Sequence, residues 1–81
     1  MDNKTKQAVL DSLGHTFGDR AQDLGTGSLL ITGRYWDTLI TPVDRGFLVE
    51  EIIPNREPDI YSIAADQNCF VELKKSVSPV N

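Results

Sequence analysis

Tyr35-Trp36-Asp37-Thr38-Leu39-Ile40-Thr41-Pro42-Val43-Asp44-Arg45-Gly46-Phe47-Leu48-Val49-Glu50-Glu51-Ile52-Ile53 holds two β-prone runs around one cluster of turn residues. Val43-Asp44-Arg45-Gly46 offers an aspartate that can bond its own turn and a glycine for a left-handed position, which predicts a three-residue hairpin loop with a glycine bulge. Pro42 belongs at the strand end, where its missing N–H can face solvent. Alternation puts Trp36, Thr38 and Ile40 on one side and Tyr35, Asp37, Leu39 and Thr41 on the other. In the next run Phe47, Val49 and Ile53 lie with Glu51, while Leu48 and Ile52 lie with Glu50. Both sides are mixed, so either the sheet curls toward a small barrel or its outer side is partly apolar and meets another chain.

Outward from this hairpin, similar short runs recur at Ser28–Thr32, Ile60–Ala64 and Cys69–Lys74, as in an antiparallel meander. Pro54 and Pro58 bracket a charged loop and stop the flanking strands. Asp66-Gln67-Asn68 reads as the last hairpin turn, with Asn68 left-handed. Toward the N-terminus, Asp2 or Asn3 can cap a helix from Lys4. Val9, Leu10, Leu13 and Phe17 form its apolar stripe, Thr5, Lys6 and Ser12 face away, and Gly14 closes its regular part. A short turn follows over Asp19–Leu24. Such a helix is too short to stand alone and needs a sheet beneath it. The expected fold is α+β: an N-terminal helix on a mainly antiparallel four- or five-stranded sheet. Residues 1–75 form a single domain, and residues 76–81 a frayed tail.

The chain has 81 residues, 40% of them hydrophobic and 25% charged, an ordinary globular mix for one small domain. Neither an apolar run long enough to span a bilayer nor a signal-peptide pattern is present, so a cytoplasmic location is expected. One cysteine, Cys69, cannot form an internal disulfide, and with His15 it falls short of a four-ligand zinc site. Cys69 reads as a small core hydrophobe and His15 as a solvated residue. Gly25-Thr26-Gly27-Ser28 resembles part of a phosphate loop. However, a strand follows it rather than a helix, so it reads as a flexible connector. Glu50 and Glu51 are strand neighbours that point to opposite faces and cannot share a proton or a metal. Neither a cofactor nor a catalytic centre is expected.

The net charge of −4 is unevenly placed. Residues 1–36 are neutral, whereas residues 37–72 hold eight carboxylates against Arg45 and Arg56. That sign disfavours direct nucleic-acid binding and suits a basic protein partner, including one that itself handles nucleic acid. Arg34-Tyr35-Trp36-Asp37 combines residue types that dominate binding hot spots, with Trp36 assigned to the core and Tyr35 to the opposite, exposed side. The candidate contact residues are Tyr35, Asp37, Leu39, Asp44, Glu50, Glu51, Glu57 and Asp59. These readings lead to a non-enzymatic adaptor or inhibitor, similar in size and charge, though not in motif, to compact acidic inhibitors of phages and mobile elements. A homodimer is compatible with this reading. The alternative is a small-molecule module whose apolar pocket between sheet and helix is lined by Trp36, Phe47 and Tyr61.

Overall fold

Asp2 opens the first helix, α1 (Asn3–Phe17), by accepting the Thr5 N–H at 2.8 Å. The computed structural model describes residues 2–80. Leu10 and Leu13 are buried and Val9 and Phe17 pack beside them, which is the stripe the spacing predicts. Two expectations for this helix are overturned. It runs through Gly14 to Phe17 and ends at Gly18, whose φ of 57° is left-handed and whose N–H donates to the Gly14 carbonyl. Packing of Phe17 on the core holds the additional turn. Lys6 does not face away: it is 4% exposed, and its Nζ donates to the carbonyls of Val43 at 2.5 Å and Asp44 at 3.4 Å.

A 3₁₀ turn (Gly18–Arg20) and a short strand, β1 (Ala21–Asp23), replace the helical turn expected over Asp19–Leu24. Residues 25–28 join two strands rather than a helix to a strand. Gly25 and Gly27 take φ of 77° and 91°, and the Asp23 carboxylate accepts the Gly25 N–H at 2.8 Å. The remaining strands are β2 (Leu29–Ile31), β3 (Asp37–Val43), β4 (Gly46–Ile52) and β5 (Asp59–Ala64). All pair antiparallel with their chain neighbours in the order β1-β2-β3-β4-β5. This meander stays open, with β1 and β5 at its edges, and does not close into a barrel.

The central hairpin forms in the expected place with a different turn. Val43 pairs directly with Gly46 across the two residues Asp44-Arg45, and Gly46 is not left-handed. Glycine is required there for space: a Cβ would lie 2.2 Å from the Ile63 carbonyl oxygen and 2.9 Å from the Ala65 nitrogen. Pairing of β2 with β3 stops at Ile40, so the missing N–H of Pro42 leaves no ladder bond unmade.

Cys69–Lys75 is a helix, α2, not a fifth meander strand. Cys69 and Leu73 are buried at i and i+4, and Glu72 and Lys75 approach to 3.7 Å at i and i+3. The alternation Cys69-Val71-Leu73 suggests a strand only because Val71 is apolar; in the helix it is 47% exposed. Asn68 is accordingly not left-handed, having φ of −99°. The Asp66 carboxylate and carbonyl accept the Asn68 and Cys69 N–H groups at 2.9 and 3.1 Å, turning the chain into α2. Both helices cover one face of the sheet, with Leu10, Leu13, Ile31, Ile40, Phe47, Val49 and Leu73 enclosed between them.

The chain end is not frayed over residues 76–78. Ser76, Val77 and Ser78 are buried, with Ser78 1% exposed. The Ser76 carbonyl accepts from Trp36 Nε1 at 2.9 Å and Thr38 Oγ1 at 2.8 Å. Ser78 Oγ accepts the Tyr35 N–H at 3.0 Å, and Arg20 Nη2 donates to the Ser78 carbonyl. Trp36 is therefore half-buried, pinned by the chain end rather than central to the core.

Two glycines separate these effects. Gly46→Ala should lower unfolding free energy by about 1–3 kcal/mol through overpacking. Gly14→Ala, in a helix with nothing within 4 Å, should raise it by about 0.5–1 kcal/mol. Chemical denaturation of both variants checks the pair. Ending the chain at Lys75 should lower the unfolding midpoint and red-shift Trp36 fluorescence; unchanged emission would mean that the strap formed by residues 76–78 does not cover the indole.

Candidate functional site

Each strand has two faces, and the helices occupy one. On the other, register places Gln22, Leu30, Leu39, Glu50 and Ile60 in a row across all five strands. Adjoining rows carry Asp37 with Ile52 and Thr41 with Leu48 and Ser62. No helix covers this outer face. Ile60 is 57% exposed, and Val43 and Ile52 are also exposed. Leu30, Leu39 and Leu48 are half-buried.

Its strand positions carry two carboxylates, Asp37 and Glu50, and no cation. Asp37 accepts the Gly33 N–H at 3.2 Å. Glu50 is half-buried between Leu39 and Ile60 and has no ion-pair partner among the described residues. Its exposed side leaves room for a partner's cation to approach from solvent.

Of the eight residues anticipated from sequence, Asp37, Leu39 and Glu50 share this face. Tyr35 sits in the loop before β3, exposed, with the Arg34 guanidinium 5.6 Å from its ring centroid. Asp44 is at the hairpin tip and Glu57 in the loop between β4 and β5; both are exposed. Glu51 and Asp59 pair with each other on the helix side. There Glu51 accepts the Tyr61 hydroxyl, and Asp59 meets Arg56 at 3.1 Å. The eight thus divide among two faces and three loops. Sequence reasoning passed over Leu30, Leu48, Ile52 and Ile60 as contact residues, although the doubly apolar alternation of β4 was the signal for Leu48 and Ile52.

Among the described residues no three of His, Cys, Asp or Glu converge on a metal position. Cys69 is buried, and burial first, then the nearby Asp66 charge, pushes its thiol pKa up, away from a nucleophile. His15 is exposed in the last turn of α1. Phe47 is fully buried, Trp36 is bonded to the chain end, and Tyr61 to Glu51. Compared with protein-family models, curated proteins and solved structures, the chain finds no match.

Tyr61 supplies a pH test. Its phenol is held above the ordinary value of 10.0, by burial first and then by its hydrogen bond to the Glu51 carboxylate. The folded state therefore keeps a proton that the unfolded chain releases near pH 10. This contribution to stability is fully present below that pH and declines above it. Denaturant titrations between pH 8 and 11 should show a steeper alkaline loss for the native chain than for Tyr61→Phe. Equal slopes would exclude the Glu51 contact as the cause.

Proposed function

We propose that this chain is a non-enzymatic interaction protein, an acidic adaptor or inhibitor that docks its outer sheet face on a basic protein surface. The uncovered aliphatic face around Glu50 carries the reading. Apolar area supplies the association energy, while an unpaired carboxylate at its centre selects a partner bringing lysine or arginine. Face-to-face packing of two copies would bring carboxylates into an apolar contact without a cation, which disfavours self-association through this face. A single buried thiol suits a reducing compartment, and the cytoplasm is the proposed setting.

Photo-crosslinking tests the reading, with the reactive residue at Leu39 or, as a control, at Ala8 on α1. Crosslinks from Leu39 to a basic segment of another protein, weakened about tenfold or more by Glu50→Lys and little by Glu57→Lys, are expected. Crosslinks only from Ala8, to a second copy, or insensitive to Glu50→Lys would overturn it.

A further inference from the structure

The two edges of the sheet differ. The β1 edge is three residues long, and the adjoining Arg20 is bonded to the Thr32 and Ser78 carbonyls. The β5 edge is six residues long, Asp59-Ile60-Tyr61-Ser62-Ile63-Ala64, with neither lysine nor proline nor a bulge to blunt it. The two-residue loop makes Val43 and Gly46 a hydrogen-bonded pair, and strict alternation from there decides which groups are free. Glu51, Val49 and Phe47 bond to Asp59, Tyr61 and Ile63, and the Ala65 N–H donates to the Arg45 carbonyl in the same phase. The N–H and C=O groups of Ile60 and Ser62, and the N–H of Ala64, therefore point off the sheet.

Beside this edge, between β5 and α2, runs an open groove of about 320 Å³ lined by Ser62, Ile63, Ala64, Asp66, Asn68 and Glu72. Its charged lining is acidic. Lys75 stands 3.7 Å from Glu72, and Asp66 has no cation partner among the described residues. Glu51 adds negative charge on the helix side of β4 beside β5, whereas Asp59 is paired with Arg56 at 3.1 Å.

We infer that β5 accepts an added strand, and that its occupant is an extended segment of a partner protein with lysine or arginine on alternate residues. The unpaired backbone groups provide main-chain hydrogen bonds, and side-chain alternation provides selectivity. Residues of the added strand facing α2 meet Asp66 and Glu72. Those facing the other way extend the aliphatic row beyond Ile60. A second copy of β5 fits less well, because it would bring more carboxylates to an already acidic edge. The inference rests on the reading of a basic partner and specifies the element through which that partner binds.

The probe is a capped eight-residue peptide of alternating lysine and valine, added to the full chain and followed by amide hydrogen exchange. With peptide at about ten times its Kd, exchange at Ile60, Ser62 and Ala64 should slow about tenfold. Three changes should abolish the effect: N-methylation of alternate peptide amides, glutamate in place of lysine, or Ser62→Pro in the protein. N-methylation leaves the protein untouched and so does not depend on the variant folding. Protection mapped to other elements, no protection at millimolar peptide, equal protection by the glutamate peptide, or a Ser62-dependent dimer without peptide would each overturn the inference. Partner crosslinks at Leu39 that survive Ser62→Pro would remove the strand-addition inference and leave the outer-face reading standing.

Discussion

The helical mass of this chain suffices to cover one face of its sheet, and much else follows from that shortage. The stripe of α1, the buried side of α2 and the strap at residues 76–78 all converge on the face that carries Ile31, Thr38, Ile40, Phe47 and Val49. Small domains have too little interior to enclose both faces of a five-stranded sheet. The outer face must then be either polar or shared with something else. Here it is mixed: Leu30, Leu39, Leu48, Ile52 and Ile60 stand among Gln22, Asp37, Thr41, Glu50 and Ser62.

The core is fastened by polar anchors at its rim. Lys6 binds the carbonyls at the tip of the central hairpin, and Arg20 binds the chain end. Ser76 and Ser78 accept hydrogen bonds from Trp36, Thr38 and Tyr35. Gly33 belongs to the same seam, since a Cβ there would lie 2.4 Å from the Ser78 Cβ. Each contact joins residues far apart in sequence. Together they leave none of the buried side-chain polar atoms among the described residues without a hydrogen-bond partner.

Those long-range contacts mark the boundary of what sequence could disclose. The α1 stripe, the central hairpin and the faces of β3 and β4 were readable because periodicity and turn chemistry are local. Cys69–Lys75 was not, since a seven-residue stretch whose apolar residues fit both i, i+2 and i, i+4 spacing satisfies strand and helix templates alike. Lys6 looked like a solvated side chain because nothing near it in sequence indicates two waiting carbonyls. Ser76 to Ser78 looked unstructured for a similar reason: serine and valine before a proline have no periodic signature, and their partners lie some forty residues upstream. The acidic bias of residues 37–72 was plain, yet its division between two faces required the register. Glu50 and Glu51 separate by alternation, but only pairing shows that Glu51 turns to Tyr61 while Glu50 is left among leucine and isoleucine.

The outer face and the β5 edge meet at Ile60, whose side chain lies on one and whose backbone opens the other. A partner limited to the face would gain apolar area but leave the edge groups to water. One limited to the edge would gain directional hydrogen bonds with little apolar burial. A strand laid along β5 with its apolar side continuous with Ile60, Glu50 and Leu39 uses both, and its cationic residues reach the acids beside α2. Solvent-exposed edge groups impose little cost on the free chain because water satisfies them. Partly exposed aliphatic side chains such as Ile60 and Ile52 gain from burial in a way the hydrated edge groups do not. On the proposed function, this corner of the sheet is where face and edge would be engaged together.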